Sequence, residues 1–128
     1  MTDKNSVKEK FIFPVSAENL SENMSLHELR EYIRAMVMQR GFKSETPQDI
    51  VLLMVEEVGE LAKAVRKLIG LKIDQNKLDS YSNVEEEIAD IFIYLLDLCV
   101  VFDIDLLSAL KNKELKNEKR FFASVINK

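Results

Sequence analysis

Between Ile88 and Phe102 only two side chains, Asp90 and Asp97, carry charge at neutral pH, and the rest of the run IADIFIYLLDLCVVF is almost wholly apolar. A helix with apolar side chains at nearly every rotation has to be covered on most sides, so this segment belongs at the centre of its fold. Long amphipathic helices are the natural cover. With three Gly and two Pro in 128 residues, the chain is poor in the turn residues that a sheet protein needs. The expected class is all-α. A hydrophobic share of 47% gives one domain enough apolar mass for a core.

The remaining helices are bounded by their capping signals. Ser25 followed by Glu28 has the form of a capping box, Leu26, Leu29, Ile33, Met36 and Val37 recur at helical spacing, and Gly41 offers a stop, which predicts a helix over 26–40. Thr46, Pro47 and Asp49 supply a cap, a first-turn proline and an acid at the positive end of the helix dipole, opening a long helix from Ile50 to Ile69 ahead of Gly70. LKIDQNKLDSYS has no sustained period and reads as a loop. Ser82 and Glu85 then form a second capping box before a helix over 83–102, and Asp105 caps a last helix carrying Leu106, Leu107, Leu110 and Leu115 to about Phe121. Four helices with short connections predict a bundle or two helical hairpins. Residues 1–23 read as a weakly ordered tail able to dock through Phe11, Ile12 and Phe13, and residues 24–128 as the folded domain.

A net charge of −4 argues against a broad basic face for gripping a nucleic acid polymer. No stretch of about eighteen apolar residues is present to span a membrane, and the patch FIFPV is too short for a secretory core. The lone Cys99 lies in an apolar run and has no partner for an intramolecular disulfide, which fits a reducing compartment. The expected location is cytoplasmic.

Four acids then stand out. Glu57 and Glu60 are three apart, and they interrupt the row Ile50, Leu53, Glu57, Glu60, Ala64, Leu68 that would otherwise be an apolar stripe facing a core. Glu87 and Asp90 repeat that spacing at the head of the central helix. A buried carboxylate without compensation is costly and tends to take a proton. One or more hard divalent cations held by Glu57, Glu60, Glu87 and Asp90 would explain all four, and magnesium suits an all-oxygen set that keeps positions open for phosphate. A solvated face with pairs such as Glu60 to Lys63 is the alternative for the first helix of the two. A di-iron bundle would require Glu-x-x-His, and the single histidine, His27, stands in the first turn of another helix.

At these residues the chain resembles the all-α nucleoside triphosphate pyrophosphohydrolases of the MazG-like superfamily, which includes dimeric dUTPases, dCTPases and phosphoribosyl-ATP pyrophosphatase. The family pattern EExxE, a spacer and ExxD is matched by Glu56, Glu57 and Glu60, then Glu87 and Asp90, and EEVGELAKAVRK and EEEIADIFIYLLDL resemble the family beyond the acids. The resemblance implies Glu57, Glu60, Glu87 and Asp90 as Mg2+ ligands, with Mn2+ an alternative. Glu56 matches the leading acid, either supporting the ligands or orienting and deprotonating the attacking water. Lys113, Asn117 and Arg120, spaced four and three apart on one helical face, resemble a stretch that contacts nucleotide phosphates. Phe42 and Phe122 depart from residues common in relatives, which bears on the choice of base.

The resemblance thus implies magnesium-dependent hydrolysis of a nucleoside triphosphate to the monophosphate and pyrophosphate by a four-helix bundle completed as a homodimer or homotetramer. The terminal-helix cations would serve a neighbour's site. Substrate alternatives are dUTP or dCTP, an oxidised nucleotide and phosphoribosyl-ATP. A different class of function would be a helical interaction module whose acids bind a partner or a structural ion.

Overall fold

The computed structural model describes residues 14–42, 45–70, 76 and 83–127. Four helices follow one another: α1 (Leu26–Arg40), α2 (Pro47–Leu68), α3 (Val84–Phe102) and α4 (Leu106–Ile126), with a single 3-10 turn at Ala17–Asn19 ahead of them. The all-α expectation holds, and the described residues contain no strand.

The caps explain most boundaries. Ser25 accepts from the Glu28 amide, and Gly41 closes α1 in the left-handed conformation, φ 77°. Thr46 and Asp49 form a reciprocal capping box on α2, with Pro47 in its first turn. At α3 the cap is Asn83, whose side-chain oxygen accepts from the Glu86 amide at 2.8 Å, one residue later than the Ser82 expected from sequence. Asparagine caps as well as serine does, so the rival register was open from the start. The last helix continues past Phe121 to Ile126, because FFASVI contains neither glycine nor proline to end it. Phe11, Ile12 and Phe13 lie outside the described residues.

The core sits between α1 and α3. Tyr32, Ile33, Ala35, Met36 and Val37 pack with Leu96, and Met24, Leu29, Ile93 and Leu106 close around them. Val15, from the segment ahead of α1, is buried in the same cluster. Its amide donates to Gln39 Oε1 at 2.6 Å and its carbonyl accepts from Gln39 Nε2 at 3.1 Å. Two satisfied backbone groups make that docking specific.

α3 also packs against α2, so it touches both neighbours as its apolar surround demands. α2 buries Ile50 and Ala64. The two helices run antiparallel: Glu57 meets Glu87 and Asp90, while Glu45, just ahead of α2, reaches the level of Asp97 near the other end of α3.

An ion cluster fastens the turn between α3 and α4 to α1. Arg30 donates from Nη1 to the Ile104 carbonyl at 2.7 Å and from Nε to Glu31 Oε1 at 3.2 Å, and Arg34 donates to Glu31 Oε2 at 2.9 Å. Glu31 is 6% exposed. Asp103, at the end of α3, holds φ 52°, a conformation aspartate tolerates better than most residues.

Much apolar surface remains open. Val51, Val55, Val58 and Val65 form a stripe along α2, Ile88, Phe92 and Leu95 another along α3, and α4 buries no residue at all.

Candidate metal and active site

The site begins with helix register. Glu87 and Asp90 stand three apart on α3, one turn from its start, and the packing of α2 brings Glu57 opposite them. Carboxylate oxygens from Glu57, Glu87 and Asp90 lie within 4.8 Å of one another. Glu87 is 4% exposed, with Oε2 wholly buried.

Crowding of this kind raises the affinity for protons. A hydrogen bond with Glu87, partial burial, and the charges of Glu87, Asp90 and Glu60 push the Glu57 carboxyl up to about 7. A proton shared between carboxyls is one way to neutralise the cluster, and a divalent cation is another. The donor set fits such an ion: three hard oxygens from two helices, with an excess of negative charge.

Glu60 is placed differently. It lies one turn further along the same face and pairs with Lys63 at 3.1 Å, the intrahelical arrangement foreseen as an alternative, yet its charge still reaches Glu57. Glu56 is exposed beside Glu57. Lys113 and Arg120 are exposed on α4, which packs on α1, and Asn117 between them is half-buried. Asn117 donates to Glu114 at 3.0 Å, while Lys113 and Arg120 form no hydrogen bond or ion pair among the described residues. A single chain therefore joins three of the acids and leaves the terminal-helix cations apart from them. His27 is exposed, its Nδ1 3.2 Å from Arg30 Nη2.

Sequence reasoning did not assign Tyr94, Glu45 or Asp97 to the site. The Tyr94 hydroxyl is raised above its ordinary range by burial and by the charges of Glu57, Glu45, Asp90 and Glu56. Its position four residues after Asp90 was the available signal, because it puts the ring on the same face of α3.

A family model, the MazG nucleotide pyrophosphohydrolase domain, matches residues 45–121. That span runs from just ahead of α2 through most of α4 and contains every acid of the cluster. No curated protein matches the chain.

Proposed function

The chain belongs to the MazG nucleotide pyrophosphohydrolase domain family, and on that premise we propose that it hydrolyses a nucleoside triphosphate at the α-phosphorus to the monophosphate and pyrophosphate. The observation that carries this reading is the convergence of Glu57, Glu87 and Asp90 from two helices. These three would hold a divalent cation, Mg2+ with Mn2+ as an alternative, and Glu60 would join them by releasing Lys63. Bound there, the ion supplies neutralisation of triphosphate charge and greater acidity of water at the reacting phosphorus.

The side chains have separate tasks. Glu56, exposed next to the cluster, is the acid available to orient the attacking water and take its proton. In-line attack leaves the charge of the departing pyrophosphate to be met by cations, and Lys113 and Arg120 with Asn117 supply them from a second copy of the chain. The open apolar stripes of α2 and α3 support a homodimer or homotetramer that brings α4 of one chain toward the acids of another. A cytoplasmic setting agrees with the buried free thiol of Cys99.

The test is pyrophosphate release from a panel of nucleoside triphosphates, after chelation and again with Mg2+ restored. Magnesium-dependent release from at least one triphosphate is expected. No release from any of them, or a full rate after exhaustive chelation, rejects the reading. A magnesium-dependent rise in melting temperature without turnover would mark a structural ion site instead.

A further inference from the structure

Asp97 is a buried acid that the reaction proposed above leaves without a task. It is 6% exposed, and among the described residues it makes no hydrogen bond or ion pair. The charge that reaches it is that of Glu45, which has the same sign, and burial together with Glu45 raises its carboxyl above the usual range. Its oxygens are not wholly enclosed, as Glu87 Oε2 is, so the protein leaves them open to a donor from outside. A ligand that brings such a donor can take the place of water there.

The position of Asp97 says what that ligand is. Seven residues of helix bring Asp97 back to within about 20° of Asp90 around the axis and about 10 Å further along it. Tyr94 lies between them, feeling Glu57, Asp90 and Glu56 toward one end and Glu45 toward the other. One strip of α3 therefore leads from the acid cluster to Asp97, and its length is that of a nucleoside. In the opposite direction the first-turn acids Glu85 and Glu86 are exposed and enclose nothing.

We propose that, with the triphosphate at the cluster, the sugar and base extend along this strip, and that Asp97 is a specificity-determining residue that reads the nucleobase, selecting bases with an exocyclic amino group over their oxo counterparts. This rests on the triphosphate reading of the preceding section. As an anion Asp97 only accepts hydrogen bonds. The amino group of cytosine or adenine donates at the position where uracil or hypoxanthine presents carbonyl lone pairs, which a carboxylate repels.

Matched pairs test it: cytidine against uridine triphosphate, and adenosine against inosine triphosphate, with kcat/KM measured for pyrophosphate release. The native chain should favour the amino member of the better-used pair by about tenfold or more, the scale of one hydrogen bond to a charged group. Asp97→Asn offers an amide that donates to a carbonyl, so the ratio should collapse or invert. Equal efficiency within both pairs in the native chain overturns the assignment and leaves the hydrolysis standing, and this outcome does not depend on the variant folding. An unchanged ratio in a folded Asp97→Asn variant, judged by its melting midpoint, overturns it as well. Turnover of no triphosphate overturns the preceding reading and this one together.

Discussion

At the scale of single residues, the acid cluster ties stability to pH. Glu57 is pushed up to about 7 in the folded, metal-free chain, against 4.5 for an unperturbed glutamate, chiefly by its hydrogen bond with Glu87. Between those values the folded state holds more protons than the unfolded one, so this contribution is complete below about pH 4.5 and is lost as pH rises through about 7. Denaturant midpoints measured in chelator should therefore fall from pH 5 to pH 8 by an amount that Glu57→Gln removes; equal slopes in both proteins would mean the cluster is not strained by charge. Magnesium competes with that shared proton and should bind more tightly as pH rises. Asp90→Asn and Glu57→Gln should each abolish turnover while leaving a chain that melts no earlier, because a crowded charge has been removed. Near-normal rates in both would end the metal-site assignment. Glu57 and Asp90 stood out in the sequence because they interrupt apolar stretches, and Glu87 because it repeats the spacing of Glu57 and Glu60. Asp97 was visible as the second charge of the central run, but its lack of donors depends on neighbours that no spacing reveals. Glu45 gave no signal, since nothing ahead of the Thr46 cap tells that it lies beside the far end of α3.

At the scale of the helices, local chemistry decided most of the outcome. Ser25, Thr46, Pro47 and Asp105 each stand where a helix begins, and their signals need no knowledge of tertiary contacts. The cluster that fixes these helices to one another could not be read in the same way. Arg30 and the Ile104 carbonyl are 74 residues apart, and Glu31 in the pattern of α1 looks like one more polar position. Burial makes that position costly to alter. Glu31→Ala leaves Arg30, itself 11% exposed, without its nearer counter-charge and with only Asp103 at 3.8 Å, and should lower stability by about 3 kcal/mol in chemical denaturation. Lys63→Ala removes an ion pair that is largely in water, and its effect on stability should stay within about 0.5 kcal/mol. Similar losses in the two variants would show that the Arg30 cluster is not a structural clasp.

At the scale of the whole molecule, one chain supplies an incomplete enclosure. The stripes on α2 and α3 are apolar but open, which is why the sequence pointed to burial at positions such as Leu68 that a single chain leaves 74% exposed. Val55→Asp, at a position 58% exposed, should leave a folded chain of lower assembly mass in sedimentation, whereas an unchanged mass would put the contact elsewhere. Arg120→Ala should reduce kcat/KM by about ten- to a hundredfold with little change in melting, the cost of one charge-assisted phosphate contact. An early-melting variant whose folded fraction is fully active would make Arg120 a structural residue instead. α4 carries this argument furthest, since it is a 21-residue helix that buries no side chain of its own chain. Apart from Leu106 at the edge of the core it has little tertiary cover, and helices so placed are marginal in water. Its amides should exchange with deuterium sooner than those of α1 and α3, and its order should be a collective property, so that progressive dilution of the protein lowers the turnover of each chain as well as the total rate.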